Sequence, residues 1–143
     1  MPNITTFNTG APYIYLSIFV AAGKNTLHEF DAIFDTGAPR TEFSDTSLQY
    51  AGFLGATKRV NLKNGLQTQK YGKIVLPQIQ ICGHSIGNLE VFVSHFEKSW
   101  GIDALIGLDF LRQFKVEIDY SKGIITSDTL PFSGSSLMSV TTL

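Results

Sequence analysis

The sequence is a series of short apolar runs separated by turn residues, and this pattern favours a β-sheet fold. Residues 13–20 and 27–34 are rich in aromatic and β-branched side chains, and residues 115–120 and 123–127 flank a further turn. Such runs are typical of strands, and no long helical period is present. With 13 glycines and 11 phenylalanines, the chain has residues for many turns and a large apolar core. We expect an all-β, mainly antiparallel fold.

The length predicts one domain followed by a tail. A chain of 143 residues has the size of a single domain, and no linker divides it. We expect the domain at residues 1–132 and a Ser/Thr-rich C-terminal tail at residues 133–143. Two short helices are predicted: residues 45–51, which Ser44 can cap, and residues 108–114, where Leu108, Leu111 and Phe114 share one side.

Charge and cysteine content exclude several classes of protein. Lysine plus arginine number 11 against 12 for aspartate plus glutamate, so no basic excess favours nucleic acid. The single cysteine, Cys82, cannot form an internal disulfide, which fits a reducing compartment. No apolar run approaches the ~18 residues of a membrane span, and the first ten residues lack the pattern of a signal peptide. We expect a cytoplasmic protein with no membrane partner.

One acidic residue stands at a sharp break in the pattern. Asp35 ends the apolar run 27–34 and is followed by Thr36 and Gly37. A carboxylate near a core must be hydrogen-bonded or paired, and Gly37 can turn its N–H toward it. These residues are suited to holding a carboxylate rigidly while it activates another group. An ordinary turn is the alternative, because Asp-x-Gly triplets are common in turns.

A second motif follows at a distance of 72 residues. Residues 104–111 read Ala-Leu-Ile-Gly-Leu-Asp-Phe-Leu, an apolar run that is broken by Gly107. Because glycine has no Cβ, another segment can pass close to this strand end. We expect that segment to be the loop that carries Asp35.

Together the two motifs resemble those of a known family. Residues 34–38 (Phe-Asp-Thr-Gly-Ala), residues 105–111 and the continuation at 115–120 are similar to the retropepsin group of aspartic proteases, especially its small single-domain members in bacteria and in DNA-damage-inducible proteins. The resemblance spans about residues 13 to 127. It implies a single-lobe closed β fold with a flap hairpin and an active site built by two copies of the chain. It also implies hydrolysis of polypeptides without a cofactor.

The resemblance implies a pair of carboxylates, and the chain supplies one. In such a pair one carboxylate activates water while the other, protonated, donates to the scissile carbonyl oxygen. Asp45 and Asp128 also precede threonine but lack the following glycine. We therefore expect a homodimer with a two-fold axis between two Asp35 side chains. By resemblance, the supporting catalytic loop is Thr36, which reaches the partner's backbone, together with Gly37 and Ala38.

Ala38 stands where many two-lobed relatives carry serine or threonine. Alanine lacks the hydroxyl that donates to the ionised carboxylate. We therefore expect activity that extends toward neutral pH.

Further cleft residues are predicted on both sides of the motif. An Asn-Gly pair between strand-like runs predicts a hairpin, which is either a flap or an ordinary surface hairpin. Arg40 either favours an acidic substrate side chain or pairs with Asp109, and we favour the internal pair. Asp109 is expected to orient the helix, and Ile106 borders a pocket or belongs to the core. The flap candidates are Lys63, Asn64, Gly65 and Leu66, and the cleft candidates are Arg40, Ile106, Gly107 and Asp109.

Other chemistries receive little support from the sequence. His28, His84 and His95 show no metal-ligand spacing, so neither metal nor cofactor is expected. No phosphate-binding motif is present, and Cys82 in its apolar run is interpreted as a small core residue. Two alternatives to a free protease remain: a non-catalytic dimeric peptide-binding module with the same fold, and a processing domain that is active only when fused or tethered.

Overall fold

The computed structural model describes residues 1–23, 25–54 and 70–130. The flap candidates and the tail at 133–143 lie outside the described residues. The strands are β1 (Asn3–Thr6), β2 (Tyr15–Ala22), β3 (Thr26–Phe34), β4 (Glu42–Ser44), β5 (Lys70–Ile81), β6 (His84–Ser94), β7 (Ala104–Ile106), β8 (Phe114–Asp119) and β9 (Ile124–Thr129). The helices are α1 (Asp45–Tyr50), α2 (Leu108–Leu111) and a 3-10 turn at Lys98–Trp100. The all-β, mainly antiparallel prediction is confirmed.

A closed barrel positions the break in the chain that follows β3. Its strand order is β2-β3-β7-β4-β6-β5. Most neighbours are antiparallel, but β3 pairs in parallel with β7 and β4 pairs in parallel with β6. The β3–β7 register sets Phe34 opposite Ile106. The residues that follow these two strands, Asp35 and Gly107, are therefore brought to the same end of the barrel.

The barrel interior holds the apolar core. Along β2, Leu16, Ile18 and Val20 are buried, whereas Ser17 between them is exposed, as the two-residue period of a strand requires. Phe43 is fully buried, and its ring meets the Phe30 ring edge-to-face at 5.5 Å. Further fully buried side chains come from other strands and helices: Leu48, Leu76, Ile79, Ile81, Val91 and Ile106.

A second, three-stranded sheet of order β1-β9-β8 packs beside the barrel. Polar contacts join the two sheets: the Asn3 side chain donates to the Cys82 carbonyl at 3.1 Å, and His84 Nε2 lies 2.9 Å from Ser127 Oγ. The His84 ring also stacks on Phe114 at 4.2 Å. The tight hairpin between β5 and β6 is therefore fastened to the sheet that contains the N-terminal strand.

Several local predictions hold and others differ. Ser44 Oγ accepts the Ser47 N–H at 3.2 Å, so the predicted cap of α1 is confirmed. The second helix is a single turn, because Phe114 already belongs to β8. The sequence did not predict β1 and β4, which are short and carry polar residues (Asn-Ile-Thr-Thr and Glu-Phe-Ser). Their pairing partners, β9 and β7, lie far away in the chain, so no local signal marks them.

Candidate active site

The carboxylate of Asp35 is held by its own turn. The Asp35 N–H donates to the Ile106 carbonyl at 2.9 Å, which anchors the residue at the end of β3. Its Oδ1 accepts the Gly37 N–H at 2.9 Å, as the sequence predicts, and its carbonyl accepts the Ala38 N–H at 3.1 Å. Asp35 is partly exposed and Thr36 and Gly37 are exposed. The turn therefore fixes the carboxylate while leaving one side open.

Gly107 permits the close passage of this turn. The Leu108 N–H donates to the Ala38 carbonyl at 2.8 Å. A Cβ built on Gly107 would lie 2.6 Å from the Arg40 carbonyl carbon and 2.7 Å from the Ala38 oxygen. These are backbone atoms that cannot rotate away, so glycine is required here. The segment that the sequence expected to cross Gly107 is the one that carries Asp35.

A buried polar cluster fixes the far end of the same loop. Asp109 Oδ1 accepts the Thr41 hydroxyl at 2.7 Å, and Asp109 Oδ2 accepts the Thr41 N–H at 3.0 Å. The Thr41 hydroxyl oxygen in turn accepts the Gly107 N–H at 3.1 Å. Asp109 orients the loop and the helix, as expected. Thr41, which is fully buried, was not predicted, since a threonine six residues past the motif carries no local signal.

The predicted pair between Arg40 and Asp109 is wrong. The Asp109 carboxylate accepts hydrogen bonds from Thr41 and from the N–H of Phe110, and no ion pair joins it to Arg40. The Arg40 guanidinium lies over the Phe92 ring, 5.1 Å from its centroid. Thr41 is fully buried beside Asp109, whereas Arg40 is only partly buried.

A cavity of about 400 Å³ opens beside Asp35. Ile106, a predicted cleft residue, does not line it: it is fully buried in the core, whereas its neighbour Leu105 faces the cavity. The two-residue period of β7 explains the difference. The lining residues are Tyr13, Tyr15, Ile33, Phe34, Asp35, Trp100, Ile102 and Leu105.

This architecture recurs in solved structures. No protein-family model and no curated protein matches the sequence. A retropepsin-like aspartic protease from Rickettsia conorii has a TM-score of 0.63 at 24% identity, covering 89% of this chain and 90% of that chain. The retroviral protease-like domain of Ddi1 from Leishmania major has a TM-score of 0.57 at 18% identity, covering 85% and 96%. The chain has a retropepsin-like fold.

Within the retropepsin-like fold, exposed aromatic side chains surround the cavity. Tyr13 is 58% exposed, Tyr15 is 39% exposed and Trp100 is 53% exposed. The two tyrosine rings meet edge-to-face at 6.1 Å, and Trp100 lies against Phe96 at 5.4 Å. A contiguous exposed patch of large apolar side chains, unlike scattered single ones, is typical of ligand-binding grooves and interfaces. The alternation along β2 could have predicted that Tyr15 faces outward, because its neighbour Leu16 is buried. No such period predicts the position of Trp100, which lies in the segment between β6 and β7.

Two ionisable groups outside the Asp35 turn, Asp31 and Cys82, have raised pKa values. Burial, with additional repulsion from Asp103 and Glu29, raises the pKa of Asp31, which lies on β3 before the Asp35 turn. Burial also raises the pKa of the Cys82 thiol, so the thiol remains protonated at neutral pH. This is expected of a core residue and not of a nucleophile.

Within the described ranges, no cluster of His, Cys, Asp and Glu has the composition of a metal site. None of the helices described is long and apolar enough to span a bilayer.

Proposed function

We propose that this protein is a homodimeric aspartic endopeptidase in which one Asp35 from each subunit activates a water molecule. One observation carries the proposal. At the open end of a retropepsin-like barrel, the Asp35 carboxylate is oriented by the Gly37 N–H and faces a cavity with aromatic walls. A rigidly held, solvent-accessible carboxylate beside a side-chain pocket is suited to general acid–base work on a peptide.

A single chain is incomplete for this chemistry. Among the residues that line its cavity, Asp35 is the one acid. Amide hydrolysis needs a base that takes a proton from water and an acid that donates one to the carbonyl oxygen. A second copy supplies the missing carboxyl group. The ionised Asp35 takes a proton from water as the water oxygen bonds to the carbonyl carbon, and the protonated Asp35 donates to the carbonyl oxygen. As the C–N bond breaks, the proton gained from water passes to the leaving amine, and a hydroxyl proton of the tetrahedral intermediate returns to the other carboxylate.

The cavity indicates the kind of peptide that would be cleaved. Apart from Asp35, its walls are apolar or aromatic, and no basic side chain lines it. Burying a large apolar side chain there removes both surfaces from water and contributes about 1.5–3 kcal/mol. We expect cleavage next to a bulky apolar residue. Thr36, exposed at the tip of the turn, is assigned to the contact with the partner's backbone.

The experiment compares peptide cleavage by the wild type, Asp35→Asn and Asp128→Asn, using a peptide library read by mass spectrometry. Asp128 is the matched control, because it also precedes threonine and its carboxylate accepts the Thr129 N–H at 2.9 Å. We expect Asp35→Asn to lose activity about a thousandfold and Asp128→Asn to stay within about twofold. Equal cleavage by wild type and Asp35→Asn would remove Asp35 from the mechanism.

A mixing experiment tests the shared site. An excess of Asp35→Asn protein is expected to suppress wild-type activity, because mixed dimers contain one carboxylate. Sedimentation checks that the two proteins associate. Cleavage by a monomer contradicts the two-chain site. Tight peptide binding without cleavage by either protein favours the non-catalytic peptide-binding module.

A further inference from the structure

Outward-facing side chains form a continuous row across the barrel, one from each of its strands. Residues that lie opposite each other in a sheet point to the same face, so the strand registers define the row. Along β7, for example, Leu105 faces outward between the buried residues Ala104 and Ile106. In order of pairing, this outward row consists of Tyr15, Ile33, Leu105, Glu42, Phe92 and Lys73.

The first half of the outward row belongs to the Asp35 cavity, and the second half extends beyond it. Tyr15, Ile33 and Leu105 line the cavity, whereas Glu42 and Phe92 do not. Neighbouring strands lie about 4.8 Å apart, so Phe92 is about 10 Å from Leu105. An extended peptide advances about 3.3 Å per residue. A peptide that is anchored in the cavity and follows the row therefore reaches Phe92 within about three residues.

Two cations lie against the ring of Phe92. The Arg40 guanidinium is 5.1 Å from the ring centroid, and the Lys73 ammonium is 5.8 Å from it. Arg40 comes from the loop that carries Asp35, and Lys73 is the last member of the outward row. The cavity end of the row is thus apolar, whereas positive charge lies at its far end.

The acids of this region leave the Arg40 guanidinium available. Glu90 pairs with Lys73 at 3.9 Å, and the Asp109 carboxylate is hydrogen-bonded to Thr41. In the part of the chain that the structure describes, no ion pair includes Arg40. Because a guanidinium stacks on a ring through its face, the N–H donors in its plane can still bind a planar acceptor.

We propose that Arg40 is a specificity-determining residue, which binds the carboxylate of an aspartate or glutamate in the peptide, within about three residues of the apolar side chain in the cavity. The inference rests on the proposed function and names its substrate class. The guanidinium donates parallel N–H bonds to the carboxylate, and Lys73 adds a second positive charge beside the same ring. The preferred substrate therefore combines a bulky apolar residue with a nearby acid.

Glu42 limits where that acid can lie. It occupies the outward row between Leu105 and Phe92, and its Oε2 accepts the Ser94 hydroxyl at 2.7 Å. A peptide carboxylate that stops at Glu42 meets a like charge, whereas one that reaches past it meets Arg40. We therefore expect an acid to be preferred at one position relative to the apolar residue, and not throughout the peptide.

The test uses peptides with one phenylalanine and with glutamate, glutamine or lysine placed one to four residues from it, on either side. Glutamine is the uncharged counterpart of glutamate. We expect kcat/KM for the wild type to be about tenfold higher with glutamate than with glutamine at one position, and this ratio to fall at high salt. The absence of a preference for glutamate at every position overturns the inference.

Charge reversal assigns the preference to Arg40. In Arg40→Glu, lysine is expected to replace glutamate as the preferred residue at the same position. Arg112→Glu is the matched control, because it makes the same change of charge at an exposed residue that follows α2. Its preference should stay within about twofold of the wild type, since exposed charges at a distance are screened. A preference that is unchanged in Arg40→Glu, or changed equally in both variants, contradicts direct contact. The peptide comparison on the wild type remains decisive if Arg40→Glu fails to fold.

Peptide binding to Asp35→Asn protein separates recognition from catalysis. Fluorescence anisotropy of labelled peptides is expected to show the same preference for glutamate without turnover. Preferential binding without any cleavage by the wild type retains the role of Arg40 and rejects the protease. Cleavage without a preference for glutamate retains the protease and rejects the role of Arg40. The absence of both binding and cleavage rejects both.

Discussion

Two regions of this molecule contain the same three residue types and use them in opposite ways. In the turn, Thr36 and Gly37 are exposed and Asp35 is partly exposed, whereas the cluster of Asp109, Thr41 and Gly107 is partly or fully buried. In the buried cluster every member bonds another: threonine donates to aspartate, and glycine donates to threonine. In the Asp35 turn, the one bond among these three residues runs from the Gly37 N–H to the Asp35 carboxylate.

This difference in hydrogen bonding indicates which region stabilises the fold and which one can act on other molecules. A buried polar group must have its hydrogen bonds satisfied within the chain, because an unmet one costs about 1–3 kcal/mol. The Asp109 cluster meets that requirement and therefore stabilises the loop. The Asp35 turn retains an accessible carboxylate and an exposed hydroxyl, which are free to act on water, a substrate or a second subunit. Matched substitutions at the two regions separate stability from activity.

The largest expected effect comes from the glycines. Gly107→Ala places a Cβ within 2.7 Å of backbone atoms, so we expect the free energy of unfolding to fall by about 3 kcal/mol. Gly37→Ala places a Cβ 3.3 Å from Asp35 Oδ1, a side-chain atom that can shift. That variant should remain stable while its peptidase activity falls about tenfold.

Urea denaturation and peptide assays measure both quantities. Gly87→Ala is the control, because its Cβ would meet nothing closer than the Pro77 oxygen at 3.6 Å. Equal loss of stability in Gly37→Ala and Gly107→Ala would break the comparison.

The next largest effects are expected from replacing the threonine of each region, Thr41 in the buried cluster and Thr36 in the turn. Thr41→Val keeps the shape but removes the hydroxyl that serves both Asp109 and Gly107, and should cost about 2 kcal/mol of unfolding free energy. Thr36→Val, at an exposed position, should cost under about 0.5 kcal/mol and weaken the dimer about tenfold. Sedimentation measures dimerisation, and denaturation at several protein concentrations separates folding from association. A dimer unaffected by Thr36→Val contradicts the role assigned to Thr36.

The smallest expected effect is on the pH dependence of stability, at Asp119, a residue that is exposed but hydrogen-bonded. Asp119 is exposed, yet its Oδ1 accepts the N–H groups of Ser121 and Lys122 at 3.0 Å. The backbone hydrogen bond from Lys122 and the Ser121 hydroxyl hold the pKa of Asp119 below its usual value. Because the folded pKa is the lower one, this contribution to stability is present above the pKa of the unfolded chain and is lost as pH falls through the folded pKa.

Thermal melts of wild type and Asp119→Asn from about pH 7 to pH 2.5 measure this contribution. The wild type is expected to melt slightly higher at neutral pH, and the two curves should converge in acid. A constant difference at all pH values would show that the turn does not depend on ionised Asp119.

Local sequence patterns predicted much of the architecture because they act over a few residues. The alternation of β2, the cap at Ser44 and the closing hairpin β8–β9 are all visible in neighbouring residues. The spacing of the Asp35 and Gly107 motifs also predicted which loop crosses which strand. The assignment of these residues to catalysis is still a prediction.

The sequence by itself therefore determined a β fold, the break at Asp35 and the need for glycine at position 107. Only the tertiary structure decided that Thr41 bonds Asp109, 68 residues away, and that Arg40 lies on Phe92. It also decided that Tyr15 and Trp100 share a cavity with Asp35. These contacts join residues that are distant in the chain, and barrel closure, rather than any local preference, brings them together.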